Sequence, residues 1–148
     1  MIELVASAFL EASIDREWAV QRPSRSVHSA VIRRSAEIPQ HARAFADCVS
    51  DRESSGSYSA RNPSSSAQGR WQFLDISWRQ EGGLHYMVAA RLKDQGLPSS
   101  AAADVRRFLA DTPIYRWPGP YQDTAFVAVI LSGGWHHWQG PGCNHLAP

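Results

Sequence analysis

Residues 53–78 read ESSGSYSARNPSSSAQGRWQFLDISW. The stretch is rich in Ser, Asn, Pro and Gly, with brief alternation around Tyr58 and again at Trp71 and Phe73, so it reads as a loop holding a small β-hairpin. On its N-terminal side, from His41, the residues Ala42, Phe45, Cys48, Val49 and Arg52 recur at helical spacing and predict a helix with one buried face. That helix ends near Glu53, because Ser54, Ser55 and Gly56 follow and a glycine just past the last periodic position can take the left-handed conformation that closes a helix. On its C-terminal side, residues 74 to 80 predict a short helix. Residues 84 to 95 predict a longer one, with Leu84, Met87, Val88, Arg91 and Leu92 on one side and Gly96 closing it. Ser99 or Ser100 offers a cap for the next helix, which turns Val105, Phe108 and Leu109 inward. Pro120 suits a first helical turn, and the run TAFVAVIL at 124–131 is apolar all round, which predicts a central helix ended by Gly133 and Gly134. The tail from Trp135 to Cys143 is expected to fold back. The fold class is α+β, predominantly α-helical, with a small β-hairpin or irregular lobe.

Further out, Leu4, Val5, Ala8, Phe9 and Ala12 have a helical period and predict an amphipathic helix over residues 3 to about 20. Residues 21–40, QRPSRSVHSAVIRRSAEIPQ, show little periodicity, as a connector or wrapped extension does. A boundary near Pro39 therefore separates an N-terminal helix and Arg/Ser-rich extension, residues 1–40, from one domain at 41–148. Before Pro39 there are five basic and five acidic residues and after it ten and nine, so neither part is a polyionic tail. A net charge of +1 on 148 residues gives little field for a polyanion, which argues against a dedicated nucleic-acid or membrane-surface binder. No run of 18 apolar residues occurs, so no membrane span is expected, and no basic residue precedes Arg16, so no secretion signal is read. Cys48 and Cys143 fit one long-range disulfide in an oxidising compartment or two unrelated thiols in a reducing one. Serine-hydrolase, phosphate-loop and dinucleotide motifs are missing, and His136, His137, Cys143 and His145 match no common zinc spacing. Neither a metal nor a cofactor is expected.

Glu53 is the residue with chemistry to offer. A carboxyl at a helix C-terminus feels the partial negative charge of the last carbonyls, and burial adds a desolvation cost; both favour the protonated acid needed to protonate a glycosidic oxygen. The plain alternative is a helix-end group paired with Arg52 or Arg70. What favours the chemical reading is the ensemble of Glu53-Ser54, Gly56, Tyr58, Asn62-Pro63, Ser66-Ala67, Gly69, Trp71-Gln72-Phe73 and Ser77-Trp78. Together these resemble the signature of the lysozyme-like superfamily, in its lytic transglycosylase and resuscitation-promoting-factor branch. The resemblance covers residues 42 to 143 and leaves the first 40 outside it.

It implies a lysozyme-like domain that cuts the MurNAc–GlcNAc β-1,4 bond of peptidoglycan strands, as a lytic transglycosylase or a muramidase, with Glu53 as general acid and then base. It implies a Cys48–Cys143 disulfide, worth about 4 to 5 kcal/mol in the chain-entropy picture. It implies Gln72 as a cleft residue bonding an acetamido or carbonyl group, with Trp71, Tyr58, Asn62 and Ser54 as further substrate contacts. Aromatic side chains at such spacings equally serve a core, the reading preferred for Trp78. A single carboxyl with help from the N-acetyl group is expected, since Asp47 and Asp51 suit a solvated helix face and Asp75 suits a cap. Arg70 and Trp71 depart from the smaller residues common in relatives and can narrow a subsite. Residues 1–40 can cover the cleft or dock another protein. The setting implied is extracellular, at the cell wall or in a phage virion, and the competing reading is an inactive wall-binding or virion structural module.

Overall fold

The computed structural model describes residues 23–35 and 37–148. The amphipathic helix expected over residues 3 to 20 lies outside them. The described chain is mainly helical, with one small antiparallel sheet. In order it forms α1 (Arg25–Ser35), a 3-10 turn (Gln40–Ala42), α2 (Arg43–Ser54), β1 (Ala67–Gln68), β2 (Phe73–Leu74), α3 (Asp75–Trp78), α4 (Leu84–Asp94), α5 (Ser99–Asp111) and a 3-10 turn (Ile114–Arg116). There follow α6 (Gly119–Leu131) and two further 3-10 turns (Gly134–Trp138 and Asn144–Leu146).

α6 is the axis of the molecule. Tyr121, Gln122, Thr124, Ala125, Phe126, Val127, Val129 and Ile130 are all buried, as expected of a helix apolar on every side. Pro120 stands in its first turn, where its missing N–H breaks no helical bond. α4 packs against α5 and α6, bringing in Leu84, Val88 and Leu92, while α5 contributes Ala102, Val105, Phe108 and Leu109. The chain past α6 does fold back: Trp138 and Cys143 are buried in the same core. Cys143 is joined to Cys48 of α2 in a disulfide, with the Cα atoms 5.8 Å apart across a sequence separation of 95.

Three local expectations are corrected. Residues 25–35, read as part of an aperiodic connector, form α1, which lies on α6 and buries Val31 completely. The signal was present but thin: Val27, Ala30 and Val31 share a face among Arg and Ser, and Ser24 Oγ accepts the Val27 N–H at 3.3 Å to start the helix. Second, neither Ser99 nor Ser100 caps α5; the helix begins at Ser99 after Pro98, with no side-chain cap bond. Third, Asp75 does not cap α3. It is the first residue of that helix, pairs with Arg79 at 2.9 Å and accepts the Ile114 N–H at 3.3 Å, joining two separate segments.

The hairpin is minimal. Ala67 pairs with Leu74 and Gln68 with Phe73, and an isolated bridge joins Arg61 to Gln68. Two residues per strand cannot hold a loop of this length by backbone bonds alone. What does hold it decides how the candidate site is built.

Candidate active site

Glu53 lies in the last turn of α2 and is half-buried. The helix is closed by Ser55 rather than by the glycine alone. Ser55 takes left-handed backbone at φ 52° and donates its N–H to Asp51 O at 3.1 Å; Gly56, at φ 81°, donates to Ser50 O at 3.2 Å. Ser54 Oγ then donates to Arg70 O at 2.7 Å, fastening the helix end to the far side of the loop.

The Glu53 carboxylate meets a guanidinium. Its Oε1 accepts Arg52 Nε at 3.0 Å and Arg52 Nη2 at 2.6 Å, and the same Nη2 donates to Trp138 O at 2.7 Å. A positive group thus stands at a helix terminus whose free carbonyls carry partial negative charge. Of the two arginines open as partners, Glu53 takes Arg52. Arg70 goes elsewhere.

Arg70 belongs to a network that hangs the loop on α6. Asp123 Oδ2 accepts the Tyr58 hydroxyl at 2.6 Å and Oδ1 accepts Trp71 Nε1 at 3.1 Å, with Arg70 Nη1 3.6 Å from Oδ1. Arg70 also donates from Nη1 to Tyr58 Oη at 2.9 Å and from Nε to Ser50 Oγ at 2.7 Å. Burial pushes the Asp123 carboxyl above the usual carboxylate range, against the pull of Tyr58, Arg70 and Trp71. Burial, and then Asp123 itself, push the Tyr58 phenol upward.

Beside it, wholly buried Gln122 donates to the carbonyls of Tyr58 (2.9 Å), Ile114 (3.0 Å) and Trp117 (2.9 Å) and accepts the Arg70 N–H at 2.9 Å. Gly69 allows this approach: its φ is 78°, and a Cβ there would lie 2.3 Å from Gln122 Oε1. Gln122 and Asp123 were not singled out by the sequence reading. Their one signal is position, an amide and an acid in the first turns of a helix whose later turns, 125–131, are apolar throughout.

The expected substrate contacts divide accordingly. Trp71 is corrected: fully buried, it stacks on Phe126 with ring centroids 3.9 Å apart, and no face remains for a sugar. Arg70 and Trp71 therefore point into the protein rather than narrowing a subsite. Tyr58 is half-buried, with its hydroxyl engaged by Asp123 and Arg70. Ser54 serves as the staple to Arg70, and exposed Asn62 turns its own loop by accepting the Ser64 N–H at 2.8 Å. Trp78 is half-buried against Phe73 and His137.

Gln72 is half-buried, with left-handed backbone at φ 50° that costs a non-glycine residue about 1 kcal/mol or more. Two donors hold it there: its own N–H at 3.2 Å and its Nε2 at 2.9 Å both reach Gly69 O. The acids in view are otherwise committed or distant in role. Asp47 and Asp51 are exposed on α2, while Asp75 and Asp123 are paired. Cys143 is in the disulfide, and the described residues bring together no set of three or more His, Cys, Asp or Glu that could hold a metal. No family model, no curated protein and no solved structure matches this chain.

Proposed function

We propose that the chain is a peptidoglycan-cleaving glycosidase with a lysozyme-like domain, acting on the MurNAc–GlcNAc β-1,4 bond through Glu53. The observation that carries this reading is the placement of Glu53, half-buried at a helix end beside a loop anchored to the core by its polar residues; its pairing with Arg52 is what the plain helix-end reading also expects. The signature residues around it supply the substrate class by resemblance.

In the proposed reaction the Glu53 carboxyl gives its proton to the bridging oxygen as the bond from that oxygen to the MurNAc anomeric carbon breaks. The carboxylate so formed takes a proton back, either from the MurNAc C6 hydroxyl as it closes a 1,6-anhydro ring or from a water attacking the anomeric carbon. One carboxyl suffices if the N-acetyl oxygen shelters the anomeric carbon between the two steps. This fits the engagement of Asp75 and Asp123 in ion pairs. The proposed setting is the cell wall or a virion, in keeping with the disulfide. No helix among the described residues is long and apolar enough to cross a membrane.

The test is digestion of purified peptidoglycan by wild type and by Glu53→Gln, with mass analysis of the released muropeptides. Anhydro-muropeptides from the wild type alone make it a lytic transglycosylase, and reducing ends alone a muramidase. Retained binding without release by either protein replaces the enzyme with a wall-binding module.

A further inference from the structure

Neighbouring residues on a helix point about 100° apart, so side chains at i and i+1 do not face each other and seldom pair. Arg52 and Glu53 are such neighbours, yet two guanidinium nitrogens converge on Glu53 Oε1. What draws the guanidinium into this position lies on the other side of it. Nη2 also donates to the carbonyl of Trp138, and that carbonyl belongs to a fixed residue. Trp138 is 5% exposed, its indole Nε1 donates to Trp71 O at 2.7 Å, and its ring lies against Phe73 and Phe126. Two residues on, Gly140 leaves room for the guanidinium, since a Cβ there would lie 3.0 Å from Arg52 Nη1. At Cys143 the same segment returns to α2 through the disulfide with Cys48, four residues before Arg52. Arg52 thus closes a small ring of structure: α2, the disulfide, the C-terminal segment and the guanidinium.

We propose that Arg52 is a positioning residue for the reaction at Glu53, holding Oε1 so that Oε2 is the oxygen presented to the substrate, and that the C-terminal segment from Trp138 to Cys143 sets where Arg52 stands. This rests on the reading of Glu53 as the general acid. The two-pronged contact uses the planar fork of an arginine, which the single ammonium of a lysine does not reproduce. A carboxyl freed to rotate loses the fixed approach to the glycosidic oxygen, and misplacement by about 1 Å costs up to about 100-fold in rate.

The experiment measures kcat and KM on soluble glycan oligomers for wild type, Glu53→Gln, Arg52→Gln, Arg52→Lys and Gly140→Ala, each checked for folding by its thermal transition. It then repeats the measurement with Cys48→Ser/Cys143→Ser in the wild-type and Arg52→Gln backgrounds. The expected result is a 10- to 100-fold loss of kcat in Arg52→Gln with KM within about 2-fold, little recovery in Arg52→Lys, and a smaller loss in Gly140→Ala. Removing the disulfide should lower kcat when Arg52 is present and add nothing when it is absent, because both changes act through one contact. An Arg52→Gln protein with unchanged kcat, beside an inactive Glu53→Gln, overturns the proposal and leaves the function standing; so does a rise in KM alone, which would make Arg52 a substrate contact. Should Arg52→Gln fail to fold, Arg52→Lys decides, and unchanged kcat there overturns the proposal. Activity retained in Glu53→Gln overturns the reading beneath it.

Discussion

Around α6 the chain is held by apolar faces: Leu84, Val88 and Leu92 from α4, Val105 and Leu109 from α5, and Val31 from α1, all fully buried. Between Ser54 and Leu74, besides the buried rings of Trp71 and Phe73, it is held by side-chain hydrogen bonds, chiefly those of Gln122 and Asp123 from α6 and of Ser54 to Arg70. The first kind of support tolerates exchange of one apolar residue for another, because burial is non-directional. The second does not. Each buried donor or acceptor must meet its own partner, and removing one partner strands the other. The candidate site is attached to the second kind, which fixes a loop that so short a hairpin could not.

The strongest test of this contrast is Gln122→Leu, a change of similar size that strands the carbonyls of Tyr58 and Trp117 and the N–H of Arg70, and leaves Ile114 O only the Trp117 N–H. Stability should fall by about 4 kcal/mol, with proteolysis appearing first within residues 57–72. A loss below about 1 kcal/mol would show that packing alone holds the loop, and the contrast would collapse. Leu109→Ala, in a wholly buried position of α5, should cost about 3 kcal/mol through the cavity it leaves. Here opening should be global, with no early cleavage at the loop; hydrogen exchange across α4 and α5 separates the two modes of failure.

The smallest effect concerns the polar exception inside the apolar half. His85 of α4 is 4% exposed, and burial, then the charges of Arg106 and Arg79, push its pKa below the ordinary 6.5. Below pH 6.5 the unfolded chain therefore binds a proton that the folded chain refuses. Stability should decline on acidification through that window, with a slope no steeper than about 1.4 kcal/mol per pH unit, and be indifferent to His85 above it. Denaturant midpoints compared between wild type and His85→Leu isolate this contribution. An unchanged decline in the variant assigns the titration to another group.

The same contrast governs how much was legible in the sequence. The helices from α2 to α6 were readable to within a residue or two at most ends, because periodicity and glycine stops are local signals. α1 was missed because only Val27, Ala30 and Val31 carry its stripe amid Arg and Ser. At the site, the position of Glu53 at a helix end was legible, and its pairing was narrowed to two arginines. The choice of Arg52 was not legible, since it depends on a carbonyl 86 residues away at Trp138. Trp71 is the sharpest misplacement. An aromatic side chain in a polar loop carries no mark of which way it faces, and the partner that decides, Phe126, lies on another element. Gln122 and Asp123 escaped for the same reason: a buried polar residue is explained by what it touches, and that is written in no window of sequence.

The bond between Cys48 and Cys143 makes the greater part of this molecule a closed covalent circle. Any single backbone cut between those two residues opens the circle without dividing it, so both pieces stay tethered and the helices remain at high effective concentration for one another. The loop beside Glu53 lies wholly within that circle. A protease that clips it once removes nothing from the molecule; the cut adds only one water, and two fragments separate only when the sulfurs are reduced.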